Sequence, residues 1–193
     1  MPTPLILAVD AATQTGFCLG RPGQSPEFGT VNFGDSGDSH LEVGAQALKW
    51  IAHLLTDRRP DQLWIEEPLG FESKQGQTTG MTRVRLNGLW MVIGSAARLK
   101  GVPVHPVTVS SARKPFLGHG RLKRHEAKKR ARAMCRLLGW EPRNDDEADA
   151  GAIWWFACVA NAPELAPKIS KLMHAKSATI VGRPPFGVAG MPA

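Results

Sequence analysis

The sequence predicts an α/β fold, a five-stranded mixed sheet flanked by helices, and three observations carry that prediction. Leu5–Val9 and Leu63–Ile65 are short, continuous apolar runs, the pattern of strands buried on both faces. Each run ends in a carboxylate, Asp10 and Glu66. The segments between and after them carry apolar residues at helical spacing, so strands come first and then alternate with helices.

Taken in order, Leu5–Val9 is followed by a small-residue turn, Ala11–Gly16, and a second strand resumes at Phe17–Leu19. The Pro/Gly turn Arg21–Pro26 leads to a third strand, Phe28–Phe33, so the first three form a meander. Ser39 and Glu42 make a capping-box pattern. The helix it opens has Leu41, Ala45, Leu48, Ala52 and Leu55 as its expected core stripe. A fourth strand, Leu63–Ile65, runs into Glu66-Glu67-Pro68. Gly70 to Gly80 reads as a mobile polar loop. A long helix is expected over Met81–Leu99, with Val84, Leu89, Trp90, Ile93 and Ala97 apolar, and then a fifth strand at Val102–Val107. A helix over Leu122–Leu138 has Ala127, Ala131, Met134, Cys135 and Leu138 on one face. Gly139 follows as its C-cap. The last helix runs from the acidic stretch near Asp145 to about Asn161. Residues 1–162 thus form one domain, and 163–193 a basic, Pro/Gly-rich tail.

A chain of 193 residues can bury a substantial core, and its net charge of +7 makes a polyanion a natural partner. The three cysteines, Cys18, Cys135 and Cys158, are odd in number and widely spaced. That argues for reduced thiols in a cytoplasm and against a disulfide scaffold or zinc site. Leu5–Val9 is far too short to span a membrane, so a soluble protein without membrane association is expected.

Charge is concentrated in two places. From Arg113 to Arg136, ten of 24 residues are Lys or Arg, and Glu126 is the only acid. Arg124, Lys128, Arg132 and Arg136 recur every four residues, which makes a basic stripe along a helix. Such a stripe neutralises phosphates or is simply a solvated face. The second concentration is Asn144-Asp145-Asp146-Glu147-Ala148-Asp149, immediately before an apolar run. Asp146 and Asp149, three apart, share one helical face. One reading of these acids is capping, with Asp145 or Asp146 as N-cap and the rest favoured by the helix dipole. The other joins them to Asp10 and Glu66. Carboxylates at strand ends are costly unless paired or bound to a cation. Carboxylates without His or Cys suit Mg²⁺ or Mn²⁺, and four can hold two ions about 4 Å apart for phosphodiester hydrolysis.

Leu7-Ala8-Val9-Asp10, Leu63-Trp64-Ile65-Glu66 and Asp146-Glu147-Ala148-Asp149-Ala150 resemble the three acidic motifs of the RuvC Holliday-junction resolvases, which have the ribonuclease H-like fold. The resemblance spans roughly residues 4–161. Gly118-His119-Gly120 with Lys123 or Arg124 is similar to the family's glycine-containing basic loop. The dense basic helix resembles the shorter, phage- or prophage-type members. The resemblance implies Asp10, Glu66, Asp146 and Asp149 as catalytic metal ligands, two Mg²⁺ ions with Mn²⁺ as a substitute, and hydrolytic cutting of branched DNA. Either Lys123 or Arg124 would offset charge at the scissile phosphate. It also implies a homodimer making paired cuts, in the cytoplasm of a bacterium or phage-infected cell. DNA contacts are expected from Arg113, Lys114, Arg121, Lys123, Arg124, Lys128 and Arg132. Phe71 either stacks on an unpaired base at the branch or is a core residue.

Two other readings stand beside this one. A branched-DNA-binding protein without catalysis would share the fold, although all four acids are present. Val9–Gly16 also resembles the first phosphate loop of the sugar kinase/actin superfamily, whose members need two such domains. Of the adjacent acids, Glu66 is expected to face Asp10. Glu67, beside Pro68, is expected at the strand's exit, because successive strand side chains point to opposite faces.

Overall fold

The computed structural model describes residues 3–68, 80–118 and 122–167. Five strands, β1 (Ile6–Asp10), β2 (Gln14–Gly20), β3 (Glu27–Asn32), β4 (Gln62–Glu66) and β5 (Val104–Val107), form one sheet in the order β3-β2-β1-β4-β5. β1, β2 and β3 pair antiparallel, as a meander must, while β4 and β5 run parallel to β1. Parallel pairing needs crossover connections. Two helices supply them: α1 (His40–Arg58) before β4 and α2 (Gly80–Leu99) before β5. Then follow α3 (Val109–Leu117), α4 (Arg124–Leu137) and α5 (Asp145–Asn161), with a 3₁₀ turn at Pro163–Leu165. The expected five-stranded mixed sheet flanked by helices is the one found.

Strand alternation divides the interior into two cores. Leu7, Val9, Leu63 and Ile65 pack with α1 and α2 on one side. Ile6, Ala8, Cys18 and Trp64 pack with α3, α4 and α5 on the other. The three cysteines are buried free thiols of this second side. No helix among the described residues is long and apolar enough to cross a membrane.

Several sequence expectations need correction. The capping box of Ser39 and Glu42 is present, but the buried stripe of α1 is Val43, Ala47, Ile51, Leu54 and Leu55. Of the expected stripe only Leu55 is buried; Leu41 is 86% exposed and Leu48 49%. Both stripes have helical spacing, and spacing alone does not say which one meets the sheet. On α2, Leu89, Ile93, Ala96 and Ala97 are buried, while Val84 is exposed. β5 begins at Val104, two residues later than expected, and as an edge strand it accommodates Pro106. Helix α3 has no counterpart among the expected elements, and Pro115 lies inside it. Its start is nonetheless marked by Thr108, whose hydroxyl accepts from the Ser111 amide. The polar loop expected at 70–80 lies outside the described residues except for Gly80.

Candidate functional site

Parity along the strands decides which side of the sheet the strand-end acids face. Asp10 continues the alternation of Ile6 and Ala8, and Glu66 that of Trp64, so both emerge on the α5 side. Glu67 has the parity of Leu63 and Ile65, and it is exposed. β1 and β4 are adjacent and parallel, with Val9 opposite Ile65, so Asp10 and Glu66 end neighbouring strands side by side.

Helix α5 brings the other two acids over them. Asp10 pairs with Gly16 across β1 and β2. A Cβ at Gly16 would meet the backbone oxygen of Asp146 at 2.1 Å. Only glycine lets the first turn of α5 settle this close to the residue beside Asp10. Asp149, one turn further on, is 9% exposed.

The start of α5 is built by other residues than those expected. Asn144, not Asp145 or Asp146, is the N-cap, accepting from the Glu147 amide at 2.9 Å. Glu147 is fully buried. Its carboxylate accepts from the Arg143 amide at 2.6 Å, from the Arg143 guanidinium at 2.8 and 3.0 Å, and from the Thr30 hydroxyl at 2.9 Å. Burial pushes its pKa up, but the Arg143 and Thr30 hydrogen bonds outweigh burial and hold it below the usual carboxylate range. Glu147 therefore fastens the helix start to β3. Asn144 followed by Glu147 three residues on marks the cap in the sequence, although the Glu147 carboxylate takes the Arg143 amide rather than that of Asn144.

The remaining acids repel one another. Asp10 is pushed well above the usual carboxylate range by burial and then by Glu66, Asp149 and Asp146, with Lys128 opposing. Glu66 is pushed up to about 7 by burial and by Asp149, against Arg113. Asp149 is also raised, by burial first, although Arg113 and Lys128 lower it. Four carboxylates thus feel one another at one end of the sheet. Two of them are drawn toward protein groups. Asp146 accepts from Gln14 Nε2 at 2.8 Å and lies 3.5 Å from Lys128 Nζ; Asp149 lies 3.7 Å from Arg113 Nη2. Gln14 was not singled out in the sequence, and it reaches Asp146 because β2 starts beside α5.

Among the described residues no set of three or more His, Cys, Asp or Glu side chains is gathered closely enough to hold a metal ion as it stands. The donor set still fits a hard divalent cation. All its donor atoms are carboxylate oxygens, and burial together with neighbouring carboxylates raises the pKa of Asp10, Glu66 and Asp149 despite Lys128 and Arg113.

The basic residues divide by location. Arg113 and the exposed Lys114 lie on α3, Lys123 caps α4, and Arg124, Lys128 and Arg132 lie on α4. Arg113 and Lys128 reach the acids; Arg132 pairs with Asp145 at 3.7 Å. Lys123 and Arg124 are both exposed at the helix start. Arg121 and Phe71 lie outside the described residues, as do His119 and Gly120.

No protein-family model matches this sequence, and no curated protein does. Solved structures match the fold. The Thermus thermophilus RuvC structure is 20% identical with a TM-score of 0.60, over 81% of this chain and 95% of that one. Thermus thermophilus RuvC in complex with Holliday junction substrate is 20% identical with a TM-score of 0.63, over 82% and 95%. The yeast mitochondrial Holliday junction resolvase Ydc2 is 13% identical with a TM-score of 0.50, over 88% and 86%. At these identities the likeness is one of fold, and that fold is the ribonuclease H-like fold of RuvC.

Proposed function

We propose that this chain is a structure-specific endodeoxyribonuclease that cuts branched DNA, four-way junctions above all, by divalent-cation-dependent hydrolysis. One observation carries the reading. Asp10, Glu66, Asp146 and Asp149, from two strand ends and a helix start, repel one another at one end of the sheet, beside a helix lined with Lys and Arg. A stable fold keeps mutually destabilising carboxylates where a cation compensates them. The neighbouring structures, among them RuvC in complex with Holliday junction substrate and the Holliday junction resolvase Ydc2, support the same reading through their fold.

Asp10, Glu66, Asp146 and Asp149 would hold two Mg²⁺ ions, or Mn²⁺ in their place. Bound there, the metal supplies an activated water and charge neutralisation at the leaving 3′ oxygen. The rest falls to the chain's own groups. Arg113 and Lys128, both cations next to the acids, face the approaching phosphate. Lys123 or Arg124 offsets its charge, and Lys114, Arg121 and Arg132 hold the flanking backbone, with Phe71 against an unpaired base. The dense basic helix supports reading the chain as a phage- or prophage-type resolvase. Paired cuts call for a homodimer. Met81, Val84 and Met91, exposed along α2, offer an apolar face for the second copy.

The test is incubation of the full chain with a synthetic four-way junction in Mg²⁺ and in EDTA, with Asp10→Asn in parallel. Cutting in Mg²⁺ alone, lost in Asp10→Asn while junction binding persists or strengthens, is the expected result. Tight junction binding without cutting under any divalent metal would instead establish a non-catalytic branched-DNA-binding protein.

A further inference from the structure

Lys128 serves two sides at once. Its ammonium lies 3.5 Å from Asp146 Oδ1 and 3.7 Å from Asp145 Oδ2, and its charge is felt at Asp10 and Asp149. The same side chain lines an open groove of about 450 Å³ along α4, shared with His125, Lys129, Arg132, Arg136 and Asp145. Arg132 reaches across that groove to Asp145 at 3.7 Å. These separations exceed the 2.7–2.9 Å typical of closed charge-assisted hydrogen bonds. Both cations therefore lean on carboxylates without being locked to them, and both are open to an anion entering the groove.

We infer that Lys128 is a positioning residue that couples phosphate binding in the α4 groove to divalent-cation binding by the acidic cluster. Without DNA, Lys128 stands in for a cation beside Asp146 and holds that carboxylate toward α4. A backbone phosphate in the groove offers Lys128 and Arg132 a second anionic partner that competes with their loose contacts to Asp145 and Asp146. Asp146 then loses its counter-charge on the α4 side and turns to a cation beside Asp10. The linkage is reciprocal: a cation on Asp146 releases Lys128 to phosphate. No bond is made or broken; one ammonium exchanges carboxylate for phosphate. The inference rests on the metal-dependent reading above, but it concerns when the cluster accepts metal.

The experiment measures Ca²⁺ binding by calorimetry, a hard-oxygen probe read out without turnover. The full chain is compared as wild type, Lys128→Met, Lys128→Arg and Lys129→Met, each with and without a bound four-way junction. In the free protein, Lys128→Met is expected to bind Ca²⁺ about five- to twentyfold more tightly, the effect of removing one competing charge at this range. Lys128→Arg should bind as wild type does. Lys129→Met, which removes an equal charge from the same groove, should change affinity less than about twofold. With the junction bound, wild type and Lys128→Met should converge. Unchanged or weaker Ca²⁺ binding by free Lys128→Met overturns the inference and leaves the nuclease reading standing. So does an advantage that persists in the junction complex. If wild type binds no Ca²⁺ even with DNA, the metal-dependent reading itself fails, and the inference with it.

Discussion

Gly16 and Asp146 touch backbone to backbone: a Cβ on Gly16 would stand 2.1 Å from the Asp146 oxygen and 2.3 Å from its carbonyl carbon. Neither obstacle is a side chain that could rotate away. Because Gly16 pairs with Asp10, this one approach sets the distance between the first turn of α5 and the end of β1. Gly16→Ala should lower stability by about 1–3 kcal/mol, the range for forcing extra volume into a packed site. Cleavage should fall further than the loss of folded protein explains, because Asp146 and Asp149 are carried away from Asp10. Denaturant midpoints and cleavage at saturating junction test both; a wild-type midpoint would remove the close approach from the argument.

The acids of the site and the acid of the helix start give opposite pH slopes. Glu66 titrates near 7 in the fold, against an ordinary value of 4.5. Between those values the folded state holds a proton that the unfolded state has released, so stability falls as pH rises. Asp10 and Asp149, also raised, act in the same direction. In EDTA the protein should therefore melt at lower temperature at pH 8 than at pH 5.5. Mg²⁺ should raise the melting temperature far more at pH 8, because at pH 5.5 it must displace protons. Equal Mg²⁺ effects at both pH values would show that these carboxylates do not bind it.

Sequence patterns reached the sheet, and the four candidate acids stand out by the same kind of local signal. A buried strand is a short apolar run, and a carboxylate at its end stands out. The α1 stripe was misassigned because Leu41, Ala45 and Leu48 and the buried Val43, Ala47 and Ile51 have the same helical period. Their difference is set by how the helix is rotated against Leu7 and Val9, which local spacing does not encode. Helix α3 carries conflicting local signals: Pro115 inside it argues against helix, whereas the Thr108 cap argues for it. Within the site, Gln14 and the charge sharing by Lys128 arise only when β2, α4 and α5 meet. Contacts between separate elements, 132 residues apart for Gln14 and Asp146, leave no local pattern.

Glu147 is expected to be structural, although it sits among the candidate ligands. Its carboxylate satisfies Arg143 and Thr30 while fully buried. Glu147→Gln keeps the shape but loses the charge, and it should cost about 1–3 kcal/mol at neutral pH. Because its pKa is lowered in the fold, its contribution is complete above the unfolded value of 4.5 and disappears as pH falls through the folded one. The variant should thus differ most from wild type at neutral pH and least in acid. A constant difference across that range would mean that the charge of Glu147 does not fasten the helix.

Glu66 and Glu67 offer the sharpest test of the site, because adjacent positions on one strand face opposite ways. Glu66 shares the α5 side with Asp10, feels Asp149 and Arg113, and titrates near 7. Glu67 is exposed, and its amide donates to the Val107 carbonyl at 2.9 Å, which holds the backbone in register as the strand ends. Glu66→Gln removes a charge that burial and Asp149 both oppose, so in EDTA at pH 8 it should raise the melting temperature. The same change removes a proposed metal ligand, so Mg²⁺-dependent cleavage at saturating junction should fall by orders of magnitude. Gain of stability with loss of activity is the signature of a group retained for chemistry against the interest of the fold. Glu67→Gln should alter neither property by more than a small factor, since its side chain faces solvent on the other side. If Glu67→Gln abolished cleavage while Glu66→Gln spared it, the ligand would lie one residue later, and parity along β4 would not be what directs the carboxylate.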